Sequence, residues 1–165
     1  MSGFGIAPAK TSPDADPNLL AARQQLQMGV RRGANWFYWI AGLSVVNSVM
    51  AMSGSNGRFI VGLGMTEIVD EIARDLGKTG TIAGLVVNVF AVGVFVMLGV
   101  FANKYHKWAF LAGMALYTLD GAILVMAQQW LSVAFHGWVL YWLYAGFKRV
   151  SEAEELTQRF QLHAV

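Results

Sequence analysis

The stretch Thr79–Asn103, TGTIAGLVVNVFAVGVFVMLGVFAN, runs for 25 residues without a formal charge. A helix that crosses a bilayer needs about 20 mostly apolar residues. Working outward, three further stretches have the same character: Gly33–Gly57, Trp108–Gln129 and Trp130–Phe147. The segment between Lys107 and Lys148 has Asp120 as its only formal charge. It is too long for one helix, and Gln128-Gln129 supplies a polar break near its middle. Over the whole chain of 165 residues, 56% are hydrophobic and only 13% charged. Soluble domains carry roughly 25% charged residues. The pattern predicts an all-α integral membrane protein, a four-helix transmembrane bundle in one domain of residues 17–147, with spans at 35–54, 80–103, 108–128 and 130–147.

The segments between and around the spans also have a period. Asp16-Pro17 reads as an N-cap followed by proline at the first helical position. Leu19, Ala22, Leu26 and Val30 then recur at helical spacing, which predicts an amphipathic helix at 17–32. An extension of the first span is the alternative. Val61, Met65, Ile68, Val69, Ile72 and Leu76 keep a helical period, with Thr66, Glu67, Asp70, Glu71, Arg74 and Asp75 opposite. This predicts a second amphipathic helix at 65–76, between spans 1 and 2, its charges forming a solvated face. Gly77, Gly80 and Gly84 mark the turn into the second span. Residues 1–16 read as a disordered tail with no signal-peptide core. Ser151 and Glu154 read as a capping box that opens a separate tail helix within 148–165.

With four spans, both termini and the Asn103–Lys107 loop share one side. That side holds nine lysines and arginines and the other side three. The bias places both termini in the cytoplasm. Arg31, Arg32, Trp36, Trp39, Lys148 and Arg149 are the expected interfacial anchors.

Each span carries one polar residue at a matching depth: Asn47, Asn88, Asp120 and His136. Counted from the outer ends, all four lie roughly 9–12 Å below the boundary. Small residues share their faces, among them Ser44, Gly84, Gly113 and Ser132, and small residues mark helix–helix contacts in membranes. Tyr117 lines up with Asp120. An ionised aspartate in a bilayer costs at least about 2.5 kcal/mol, so it is paired, protonated or wet. His136 is the titratable residue at its depth. An Asp–His pair relays a proton, binds a cation or holds a polar ligand; equally, it clasps two helices in register. A clasp predicts that Asp120→Asn preserves folding.

The chain has no cysteine, which excludes disulfides and thiolate chemistry. His106 and His163 lack metal-ligand spacing to another histidine, and one buried histidine cannot make a bis-His haem. No metal and no cofactor is predicted. Nucleotide-binding, nucleophile-elbow and zincin motifs are absent. The net charge of +2 gives no case for nucleic acid.

Three phrases carry a resemblance: Asn35-Trp36-Phe37-Tyr38-Trp39-Ile40, Phe59-Ile60-Val61-Gly62-Leu63-Gly64, and Ala115-Leu116-Tyr117-Thr118-Leu119-Asp120-Gly121 running on to Ala134-Phe135-His136. Over about residues 31–148 the chain resembles small bacterial four-span membrane proteins to which no activity is assigned. The resemblance implies a bacterial inner membrane and carries no catalytic role. The expectation is a non-enzymatic accessory or scaffold subunit, whose partners are membrane lipids, other membrane subunits or a second copy of itself. The alternatives are a small proton- or cation-linked transporter using Asp120 and His136, and a membrane enzyme acting on a lipid or quinone.

Overall fold

Four helices, and no strand among the described residues, make up the computed structural model, which describes residues 17–53, 64, 65, 69 and 77–163. They are α1 (Pro17–Met52), α2 (Gly77–Asn103), α3 (Lys107–Met126) and α4 (Trp130–His163). Two are long and apolar enough to cross a membrane, α2 over Ile82–Asn103 and α3 over Lys107–Met126. Only 33% of each of these windows is buried. Much of their apolar surface therefore faces outward, as at Ile82, Val86, Phe90 and Leu119.

The helices pack in the order α2, α1, α4, α3, and the α2–α3 edge that closes the ring is the loosest. Phe37 of α1 is the centre of the packing. It is fully buried and its ring meets Phe95 of α2 at 6.3 Å and Phe110 of α3 at 5.8 Å. It sits in the space left by Gly113, where an added Cβ would fall 2.1 Å from Phe37 Cε1. The tightest approach is between α1 and α4. A Cβ added at Gly33 would lie 2.6 Å from the Cα of Gly146, so the two backbones touch there. Such contact is how small residues drive association where lipid tails are as apolar as leucine.

Both short turns close in the same way. After α2, Tyr105 N–H donates to Ala102 and His106 N–H to Phe101. After α3, Gln128 N–H donates to Val125 and Gln129 N–H to Leu124. These are Schellman closures, which need a left-handed residue after the cap. That residue is Tyr105 (φ 66) in one turn and Gln128 (φ 56) in the other.

Several boundaries differ from the sequence reading. Of the two readings of 17–32, the structure has the extension of the first span: both are one continuous α1, in which Gly33 packs on Gly146 and does not break the helix. The tail expected at 148–165 is likewise the uninterrupted end of α4. No glycine or proline lies between Phe147 and His163, so Ser151 sits inside the helix, and Glu154 binds Lys107 at 2.6 Å instead of closing a cap. Gly80 and Gly84 lie within α2, which begins at Gly77. The third span ends at Met126, two residues short of the expected 128, with Gln128 in the turn. The tail at 1–16 and most of the 65–76 helix fall outside the described residues; Gly64, Met65 and Val69 are helical.

The N-terminal part of α1, the α2–α3 turn and the C-terminal part of α4 meet at one end of the bundle. A pocket there is lined by Arg23, Tyr105, Val150 and Glu154.

Candidate functional site

Asn47, Asn88, Asp120 and His136 are all buried, at 8%, 3%, 5% and 2% exposure. Two pairings dominate the layer. On the α1–α2 side, Asn88 Nδ2 donates to Ser48 Oγ at 2.9 Å. On the α3–α4 side, His136 Nε2 lies 2.9 Å from Asp120 Oδ2. Sixteen residues separate Asp120 from His136, and the tight turn at Gln128 folds α4 back along α3 so that they face each other. Gly121 helps, since a Cβ there would come within 3.4 Å of the imidazole Cδ2.

Asp120 has more partners than its histidine. The backbone N–H of Gly64 donates to Oδ2 at 2.9 Å, and that of Met65 donates to Oδ1 at 2.8 Å. Both residues are helical. The carboxylate therefore ties two consecutive main-chain amides of the α1–α2 connection to the middle of α3. Each of these main-chain donors thereby finds an acceptor inside the protein.

The tautomer follows from the other side of the ring. His136 Nδ1 is 2.9 Å from the carbonyl oxygen of Ser132. A carbonyl only accepts, so Nδ1 carries a proton. One further proton then lies between Nε2 and Oδ2. With it on nitrogen the pair is imidazolium and carboxylate. With it on oxygen the pair is neutral.

Tyr117 completes the site. Its ring stacks on the imidazole at 4.1 Å, 11° from parallel, and meets Phe95 edge-on at 6.2 Å. The residue is fully buried, and its hydroxyl has no hydrogen-bond partner among the described residues.

A cavity of about 210 Å³ lies beside Asp120 on the loose α2–α3 edge. Phe90, Ala91 and Val94 form its α2 wall and Leu116, Leu119 and Ile123 its α3 wall, with Met65 across it. Apart from Asp120, the lining side chains are apolar. Among the described residues, no three His, Asp or Glu side chains gather as a metal ion would require.

Of the expected anchors, Arg31 and Lys148 are exposed, as is Trp39 at 62%. Trp36 is instead half-buried between α1 and α4, 4.8 Å from Trp138 and 6.4 Å from Phe135. Arg32 lies over the Trp142 ring at 5.9 Å, and Arg149 pairs with Glu152 at 2.8 Å.

Sequence reasoning missed Ser48 and the Gly64 and Met65 amides. Ser48 had a signal, since it stands four residues after Ser44 and so shares its buried face. Backbone donors leave no signature in side-chain chemistry.

No protein-family model, curated protein or solved structure matches this chain.

Proposed function

We propose that this is a small accessory or scaffold subunit of a bacterial inner-membrane complex, a four-span bundle with both termini cytoplasmic. The apolar runs, the nine-to-three bias of basic residues and the outward apolar faces of α2 and α3 support the membrane setting. The resemblance to small bacterial four-span proteins supports its source. One observation carries the role: both oxygens of Asp120 are engaged by the fold, through Gly64, Met65 and His136. A group held in this way locks the α1–α2 connection onto the bundle and leaves little room for a cation.

The proton shared between Asp120 and His136 keeps a second reading, a proton-linked carrier. The apolar cavity beside Asp120 keeps a third, an enzyme acting on a lipid or quinone.

The test uses the full chain and Asp120→Asn. The two amide donors change what this variant does. An asparagine offers one oxygen, so its NH₂ group must face either the Gly64 or the Met65 N–H. One buried donor loses its acceptor, which costs about 1–3 kcal/mol. The clasp reading expects a lower melting temperature in detergent, no dye-detected proton flux in proteoliposomes of either form, and co-purification of the native chain with larger membrane proteins. Proton flux in the wild type that Asp120→Asn abolishes would overturn it, as would a chain that leaves native membranes alone.

A further inference from the structure

A groove of about 330 Å³ runs between α1 and α4 near the end where the basic residues gather. Its floor has almost no side chains, because Gly29, Gly33 and Gly146 form it. Arg32 stands on one side and Arg149 on the other. Each is held in place. Arg32 lies 5.9 Å over the Trp142 ring, a cation–π contact that orients the guanidinium. The Arg149 stem crosses Gly29, its Cγ within 2.7 Å of where a Cβ would be, and Nη1 is tied to Glu152 at 2.8 Å. That bond uses one of the five N–H donors a guanidinium carries. Trp142 also lines this groove, and its indole nitrogen is a buried donor with no partner among the described residues.

Two guanidinium forks over a glycine floor form an anion site, and guanidinium geometry suits phosphate. The rim is different. Met28 and Tyr141 flank the groove at 61% and 63% exposure, so the occupant brings apolar surface with its charge. Within the membrane setting proposed above, we infer that the groove binds the phosphate of an anionic phospholipid headgroup, its acyl chains passing over Tyr141 toward the spans. Two arginines against one carboxylate, Glu152, leave a net positive charge that favours phosphatidylglycerol over zwitterionic phosphatidylcholine.

Native mass spectrometry of the full chain in detergent, titrated with each lipid, reads the binding. Phosphatidylglycerol is expected to remain bound where phosphatidylcholine does not. Removing each arginine, as Arg32→Gln and Arg149→Gln, weakens retention about fivefold, since a basic residue near an anionic lipid contributes about 1 kcal/mol. Trp142→Phe leaves a smaller, weaker aromatic platform under Arg32, so it tests the site if an arginine variant does not fold; it too is expected to weaken retention. Lys148→Gln, whose side chain is not part of the groove lining, is expected to leave retention unchanged. Equal binding of both lipids, or retention unaffected by Trp142→Phe and by the arginine variants, overturns the site. Displacement of the lipid by millimolar inorganic phosphate makes it a free-phosphate site and overturns the lipid assignment. Alkaline carbonate extraction tests the membrane setting separately: a chain released by carbonate defeats that setting, whereas one that stays in the membrane but binds both lipids alike defeats only the groove.

Discussion

The α1–α4 and α2–α3 edges of the bundle are built in opposite ways. Where α1 crosses α4, Gly33 and Gly146 bring main chain against main chain. Where α2 meets α3, the helices stand apart around an apolar cavity. The polar atoms follow this difference. The tight edge is closed by dispersion contacts around its two glycines. The open edge has Asp120 on its wall, holding the Gly64 and Met65 amides across the gap and His136 behind it. Close packing fixes one side of the ring, and hydrogen bonds brace the side where packing runs out.

Removing the brace should have the largest effect. Asp120→Ala strips the acceptor from two backbone amides and leaves His136 buried without its partner. Breaking a buried pair in this way costs about 3–5 kcal/mol, enough to abolish a cooperative thermal transition in detergent. A variant that melts as the wild type does would show that the open edge needs no brace.

Disturbing the tight edge ranks next. In Gly146→Ala the new methyl would sit 2.8 Å from both Gly33 Cα and Phe110 Cε1. The backbone cannot yield as a flexible side chain does, so the helices must part, at a cost of about 1–3 kcal/mol. Gly42, with nothing within 4 Å of an added Cβ, is the control: Gly42→Ala should be neutral or slightly stabilising.

These two edges were not equally legible in the sequence. The apolar runs located α2, α3 and the start of α4, because exposed and interior residues are both apolar there and the polar turns interrupt them. The Asp120–His136 contact was legible from depth alone, since a tight turn makes equal distances from it meet. The glycine crossing was not: Gly33 and Gly146 lie on different helices, and nothing in either segment names the other. The full length of α1 was one of two readings of 17–32, whereas that of α4 was misread. Amphipathic spacing at 17–32 and a capping box at Ser151 describe local preferences, and a preference does not start a new helix where the existing one can continue.

Smaller changes sharpen the picture. Tyr117→Phe keeps the ring on His136 and removes a hydroxyl that has no partner among the described residues. It should stabilise the fold by about 1 kcal/mol; a loss of stability, read as a lower melting temperature, would reveal a partner for that hydroxyl. Ser48→Ala removes the acceptor of Asn88 Nδ2. The net contribution of one such bond is about 1 kcal/mol, so its melting shift should be the smallest among the destabilising variants.

Because α1 and α4 are unbroken over 36 and 34 residues, they act as levers. At 1.5 Å per residue α1 is about 54 Å long, well beyond a hydrocarbon core of about 30 Å. Pro17 stands about 24 Å from the fulcrum at Gly33, so a tilt of about 10° at the glycine crossing would sweep it through about 4 Å. The rod has no hinge to absorb that motion. Small adjustments at the crossing are therefore delivered, enlarged, to the end where Arg23, Tyr105 and Glu154 meet.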